Sequence, residues 1–529
     1  MVLRPAGNVM GPTPRLLVAA LALSSTACTN SRGPDGEADG ALTLDDNAEL
    51  GSGDDPAETD GGCQSDAECT GDPNGPVCDE ATGLCHPECE PGDVGECYEG
   101  PAQTLGVGEC AAGTRSCQSS GVWGACLGQT LPSAEICGND VDEDCDGVLT
   151  GADLDGDGWG SCEGDCCDDE VVGCVDAHLV NPGAFEVPDN ELDDDCDGMI
   201  DELDPSCDGG LASNSSDPLH YAAAMELCQT TTEDPPLPER TWGVISAKFS
   251  LANGQSTPLS VQRSIRPVFG DGIVPSGGDS LVVLSTGNAA APGQTQPNYA
   301  PFESGQNLGT TVQAPADWVV ANGGEFPASC EGLNPTVGTA ANDSVMLTLR
   351  VRVPTNARSF TTRMFFFTAE YPEWVCSEYN DFFVTLIDSA AVDNPGDKNI
   401  AIFDDGQDQW PVGLNILKTA PGLFRVCESG NVGCQGELAQ EPYECPDGPD
   451  LLAGTGFDTI DVTNSCNGND FPVGGGTGWL VMSGNVEPGE IMEIRFAIWD
   501  AGGHLFDALV LLDDWRWSLD AASPGVSTP

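Results

Sequence analysis

The 529-residue sequence predicts a mainly β chain in two parts: a disulfide-rich, irregular N-terminal stalk with Asp-rich loops, then a large antiparallel β-sandwich of jelly-roll type. Three observations predict this. Cysteines crowd the chain from Cys63 onward, where Gly, Pro and Asn interrupt every helix or strand periodicity. Residues 135–205 hold 25 Asp or Glu and no Lys or Arg, too few apolar groups to fold on burial alone. From Trp242 the composition changes, and short β-rich runs alternate with Gly- and Pro-bearing turns.

Charge and cysteine usage fix the compartment. The formal net charge is −69, and between Arg32 and Arg240 the only basic residue is Arg115. No basic face exists there to meet phosphates, so nucleic acid is excluded as a partner and an anionic membrane surface is disfavoured. Twenty-five cysteines with only four histidines read as disulfides, not zinc sites, and so as an oxidising, extracytoplasmic location.

The N terminus agrees. Arg4 and Arg15 precede the apolar run LLVAALAL, too short for a stable span, and the small residues Ser24 to Ala27 lead to Cys28. This resembles a bacterial lipoprotein signal over residues 1–27, although Ser25 stands where that family's lipobox has Leu. The resemblance implies lipidation of Cys28, with membrane contact through that lipid only and attachment to the outer membrane or cell surface. Cleavage after Ala27 by an ordinary signal peptidase, giving a secreted protein, is the alternative. Setting Cys28 aside leaves 24 of the 25 cysteines, an even number available for pairing.

Residues 28–62 read as a disordered, self-repelling acidic tether. Residues 63–134 read as one or more small Cys-rich modules, with Val122 and Trp123 as their few apolar groups. Residues 135–207 form the Asp-rich module. In it DLDGDGWG sets Asp153, Asp155 and Asp157 at alternate positions and Gly158 at a sharp turn, the ligand pattern of a calcium loop. Gly164 occupies the twelfth loop position, where an EF-hand has Glu, so a shorter loop is expected. A solvated acidic spacer is the bland alternative.

EICGNDVDEDCDG at 135–147 and AFEVPDNELDDDCDGMIDE at 184–202 are one motif written twice. Together with DxDxDG, DCxD and NPGAFE they resemble the MopE-type metal-binding repeat of bacterial surface proteins over about 135–204. The segment from Cys97 resembles its usual N-terminal companion. Asp165, Asp168 and Asp169, with Asp193, Asp194, Asp195 and Asp197, are expected to complete the first site or a neighbouring one. Calcium is the expected cofactor, because magnesium tolerates crowded, irregular oxygen cages poorly.

SDPLHYAAAMEL lies between Cys207 and Cys228, and a bridge joining that pair is expected. Residues 63–207 hold seventeen cysteines and 208–529 hold seven, so at least one bridge must cross if all pair. Residues 208–529 are then the sandwich, with AAAMEL its best helical stretch. WGVISAKF, LVVLSTG, SVMLTLRVRVP, SFTTRMFFFTAEY, DFFVTLID, NIAIF, GLNILK, GWLVMSG, EIMEIRFAIWD and DALVLLDDW supply the expected strands. So long a domain implies long loops, one of them CESGNVGCQGELAQEPYEC, closed by two of its own cysteines.

LSTGNAA, SVMLTLRVRVP, FFFTAEYPEWVCSEYNDFF, NIAIF and EIRFAIWDAGGHLFDALVLLD resemble the choice-of-anchor L domain over about 242–516. That resemblance implies a surface-displayed module and no enzymatic activity. Glu370, Asp381, Asp500 and Asp507 flank its strand-end loops and could meet on one rim around a calcium ion; the alternative is ordinary turn formers. Tyr371, Trp374 and Tyr379 could stack on a sugar, or simply cover the end of the sandwich. GDSL at 278–281 spells a hydrolase tetrapeptide. Ser280 nevertheless leads into a strand, and Asp500 and His504 have the wrong spacing for that family's D-x-x-H block, so it is read as a decoy.

The expected function is a calcium-binding surface lipoprotein displaying a binding or adhesion head for a glycan or protein ligand that the sequence leaves unidentified. The alternatives are a secreted or surface hydrolase of polysaccharide or ester substrates, and a structural surface-assembly protein. A nucleophile–base set, or two carboxylates across a cleft, would favour the hydrolase.

Overall fold

The computed structural model describes residues 63–529 apart from 64, 71–76, 80–83, 134, 138, 140, 148–150, 152, 169–174, 203–205, 328–329, 331–337, 405, 421, 436–439, 461–465 and 469. The signal at 1–27, Cys28, the tether at 28–62 and Asp169 lie outside the described residues. Among the described residues no helix is long and apolar enough to cross a membrane.

The chain divides into two units. The first, ending at His86, pairs Val77–Asp79 with Leu84–His86 and is stapled by Cys63–Cys78 and Cys69–Cys85. Too little apolar surface is available there for a core, so the bridges restrict the chain instead.

The second unit begins at Pro87. Its first hairpin, Val94–Cys97 with Gly113–Ser116, carries Cys89–Cys117 and Cys97–Cys126. Three more bridges run stepwise through the acidic loops, Cys110–Cys145, Cys137–Cys162 and Cys166–Cys196. Cys207 is joined to Cys228.

The sandwich follows, mainly β, and among the described residues its named strands pair antiparallel. In its eight-stranded sheet Ser359–Thr368 and Ala508–Ser518 are central, flanked by Leu281–Ser285 and Leu480–Asn485. In the seven-stranded sheet Phe382–Asp388, Ile491–Asp500 and Ala340–Arg352 are central, with Gly243–Ser250 beside the last. Val282, Phe366 and Val510 of one sheet meet Leu347, Phe383 and Phe496 of the other in a single core.

Both outer faces are covered as well. Phe269, Phe302 and Phe457, from the long connections, close over Phe365, Phe367 and Leu511. Trp318, on the short helix Ala316–Ala321, closes over Phe382, Val384 and Trp499. This explains why LVVLS and MFFF are apolar at consecutive positions. A strand buried on both faces has no solvent side on which to alternate.

Two local expectations fail. GLNILK is not a strand: Ile416–Thr419 forms one helical turn, closed by the Ala420 N–H on the Ile416 carbonyl at 2.8 Å. Ile416 and Leu417 are both buried, so period-two alternation had nothing to act on. The helix near Cys228 spans Leu219–Ala223 and takes in only Ala222 and Ala223 of AAAMEL. It stops because Leu227 N–H closes on the Ala222 carbonyl with Glu226 at φ +68°, a C-terminal cap geometry. The inserted loop is closed by Cys427–Cys445, and its Cys434 reaches Cys466.

Candidate metal centres

Three acidic loops, residues 142–147, 153–158 and 193–198, share the spelling D-x-D-x-D-G and one backbone turn. In each, the closing glycine donates to the first Asp: Gly147 to Asp142 Oδ2 at 3.1 Å, Gly158 to Asp153 Oδ2 at 3.1 Å, Gly198 to Asp193 Oδ2 at 3.0 Å. The third Asp donates its N–H to the second: Asp146 to Asp144 at 3.0 Å, Asp157 to Asp155 at 3.1 Å, Asp197 to Asp195 at 3.2 Å. The glycines sit at φ +97°, +102° and +95°, where any other residue would be strained.

These turns gather carboxylates. One oxygen from each of Glu135, Asp142 and Asp144 lies within 4.8 Å of the others. The same holds for Asp153, Asp155 and Asp157, for Asp155, Asp165 and Asp168, and for Glu186, Asp193 and Asp195. Calcium–oxygen bonds of about 2.3 to 2.6 Å let two ligands of one ion stand up to roughly 5 Å apart. Each group can therefore hold one hard cation, and every donor is oxygen. In the cluster of Asp155, Asp165 and Asp168, Asp155 Oδ2 and Asp165 Oδ2 are buried without a hydrogen-bond partner.

Two of the expected ligands also brace their own loop. Asp194 Oδ2 accepts Asn190 Nδ2 at 2.7 Å and Val187 N–H at 3.1 Å, bracing the loop from behind. Glu143, its counterpart in the first copy, accepts Asn139 Nδ2 and Ile136 N–H. Asp197 Oδ1 accepts Met199 N–H at 2.8 Å. Conversely, the clusters include Glu135, Asp142, Asp144 and Glu186, which the sequence reading left without a role. The signal was present: DEDCDG has the spacing of DLDGDG, and a Glu precedes both DCDG loops by seven residues.

Burial first, and neighbouring carboxylates second, push Asp157 and Asp195 up to about 6 and Asp165 and Glu186 up to about 7. Backbone N–H donors oppose the shift without cancelling it. Folded-state values above the unfolded ones mean that the metal-free module binds extra protons between about pH 4 and 7. Its stability is fully present below that window and is lost as pH rises through it. Chelated protein should accordingly melt at higher temperature at pH 5 than at pH 7.5, with excess calcium reversing the order. Thermal unfolding at both pH values checks this, and a chelated protein more stable at pH 7.5 would contradict it.

Hydrogen bonds around Asn181 link the loops to the sandwich. Asn181 is fully buried, donates Nδ2 to Asp157 Oδ2 at 2.7 Å, and accepts the Thr355 hydroxyl on Oδ1 at 2.7 Å. Beside it Asn356 and Phe185 exchange two hydrogen bonds, of 3.0 and 2.9 Å.

Glu370, Asp381, Asp500 and Asp507 meet on one rim of the sandwich, all buried. Above Glu370 a cleft of about 290 Å³ is lined by Trp374, Tyr379, Gly502, Gly503, His504, Leu505 and Phe506. Tyr371 does not join it: its ring is wholly buried and its hydroxyl donates to the Glu428 carbonyl at 2.5 Å. Ser280 of GDSL is buried at the start of its strand, and its hydroxyl donates to Asp208 Oδ2 at 2.8 Å. His504 pairs instead with Asp343, at 2.9 Å.

No curated protein and no solved structure matches the chain. A match to a protein family covers residues 276–515, which include all four rim carboxylates and the central strands of both sheets except the last three residues of Ala508–Ser518. The strands Gly243–Ser250 and Arg263–Arg266 extend the sheets upstream of it. The chain therefore carries a choice-of-anchor L domain over residues 276–515, which points to a cell-surface or extracellular protein.

Proposed function

We propose that this chain is a calcium-binding cell-surface protein, in which an acidic module folds around calcium and a β-sandwich head binds a glycan or protein ligand. The observation that carries the reading is the threefold use of one D-x-D-x-D-G turn, each copy with three carboxylates close enough to share an ion. A cluster of unpaired carboxylates is costly, and a divalent cation removes that cost. The cleft with Trp374, Tyr379 and Phe506 at its wall supports a binding role for the head. The signal-like N terminus supports lipid attachment at Cys28.

Calcium titration of chelator-stripped full-length protein tests the reading. At least three equivalents should bind, with dissociation constants of about 0.1 to 1 mM as in other extracellular modules. Magnesium should compete poorly. No calcium binding, or equal affinity for both ions, would overturn the proposal. A glycan array probed with and without calcium then addresses the head.

A further inference from the structure

We infer that the sandwich holds its own divalent cation of the calcium class, buried at one rim between the two sheets and bound by Glu370, Asp381, Asp500 and Asp507. This site shares no residue with the acidic loops, and its case does not depend on them.

The four carboxylates come from four strand ends. Glu370 lies two residues beyond Ser359–Thr368, and Asp507 immediately before Ala508–Ser518, where Thr368 and Ala508 are paired. Asp381 immediately precedes Phe382–Asp388, and Asp500 ends Ile491–Asp500, where Phe382 and Trp499 are paired. Each sheet thus contributes two. None of the four is more than 2% exposed.

Their hydrogen bonds account for only part of each group. Asp381 Oδ1 accepts Ala501 N–H at 3.2 Å, Asp507 Oδ1 accepts Gln306 N–H at 3.3 Å, and Glu370 Oε2 accepts Asp381 N–H at 3.4 Å. Asp381 Oδ2, Asp507 Oδ2 and both oxygens of Asp500 are left buried with no partner. The Thr286 hydroxyl is close to Asp500 but points to the Ala508 carbonyl at 3.4 Å. Among the described residues no Lys or Arg pairs with any of the four, and His504, in the wall of the cleft beside Glu370, is engaged by Asp343.

Four buried acids without a counter-ion must either hold protons or hold a cation. Burial, and then their mutual repulsion, raise the carboxyls of Glu370, Asp381 and Asp500 well above the usual range. Protonated acids in that position would still need acceptors for their hydrogens among the same few carboxyl oxygens. A cation satisfies all of them at once. Gly287 makes room for it: a Cβ there would lie 2.0 Å from Asp507 Oδ2, so only glycine lets that carboxylate reach inward. An all-carboxylate donor set suits calcium and offers zinc neither nitrogen nor sulfur.

The test uses the full chain carrying Asp142→Asn, Asp155→Asn and Asp193→Asn, so that each of the four loop clusters loses a ligand. One calcium per chain should remain by elemental analysis after gel filtration, and Asp500→Asn added to this background should lose it. The sandwich should also melt at lower temperature in EDTA than in calcium, a difference that Asp500→Asn abolishes. If Asp500→Asn does not fold, hydrogen exchange in the loop-weakened background still decides: the amides of Asp381, Ala501 and Asp507 should lose protection on chelation. Unchanged protection there, or a folded Asp500→Asn with the same calcium content and an equal or higher melting temperature, would overturn the inference in favour of shared protons. Retention of this ion when the three loop substitutions abolish all other binding separates the two sets of sites.

Discussion

Chelation should cut hydrogen-exchange protection across residues 142–202 by about 10- to 1,000-fold, while the central strands of the sandwich keep theirs. The size follows from mass action. At 1 mM calcium and dissociation constants of about 0.1 to 1 mM, one site stabilises the folded form by about 0.4 to 1.4 kcal/mol. Three loops acting together contribute about 1 to 4 kcal/mol, which is the stated range in an opening equilibrium. Complete unfolding is not expected, because Cys110–Cys145, Cys137–Cys162 and Cys166–Cys196 keep the loops tethered. The sandwich should resist because Phe366, Phe383, Phe496 and Val510 bury its centre independently of any loop. Hydrogen exchange followed peptide by peptide, with calcium and with excess EDTA, checks both halves. Equal protection of the loops in the two conditions would mean that disulfides alone hold them.

Much of this was legible in the residues themselves. Runs such as LVVLS and RMFFFT announce strands by β-branched and aromatic content, and the cysteine density announces a stapled region without a core. The four rim carboxylates could be singled out because they flank strand ends. Their convergence, however, depends on which strands pair, and a register such as Phe382 opposite Trp499 is a long-range property. Covered outer faces were illegible for a related reason. Trp318 and Phe302 sit in stretches with no periodicity of their own and are buried by what they cover. Tyr371 shows the opposite failure. Its neighbours in EYPEW line a cleft, yet one residue's shift in direction puts its hydroxyl on Glu428 inside the fold. Glu135 and Glu186 had a readable signal, but a carboxylate seven residues upstream becomes a ligand only once the turn folds back, with Glu143 N–H on Glu135 Oε1 at 2.8 Å and Asp194 N–H on Glu186 Oε2 at 3.0 Å.

Asn181→Ala should be the most damaging single substitution in the acidic module, lowering its stability by about 2 to 4 kcal/mol. Asn181 has no charge, yet five partners converge on it, the Ala184 N–H on its carbonyl at 2.9 Å among them. Its N–H donates to the Asp194 carbonyl at 2.9 Å, tying the third loop to the NPG turn, and this bond survives in alanine. Its side chain accepts Gly183 N–H at 2.9 Å and the Thr355 hydroxyl at 2.7 Å, and donates to Asp157 at 2.7 Å. Alanine leaves the buried Gly183 N–H and the half-buried Thr355 hydroxyl without that acceptor, a loss of about 1 to 3 kcal/mol for the first and less for the second. It also removes the amide that helps keep Asp157 ionised, so that carboxyl should rise further above about 6 and calcium should bind more weakly near neutral pH. Asn181→Asp separates packing from charge. It retains an acceptor for Gly183 and Thr355 but faces Asp157 with a second carboxylate, so it should be worse than alanine in EDTA and recover in millimolar calcium. Melting curves of the full chain in both conditions, with hydrogen exchange at residues 153–168, measure this. A folded Asn181→Ala protein with unchanged loop protection and unchanged calcium affinity would show that the loops do not draw their order from Thr355 and the sandwich beneath them.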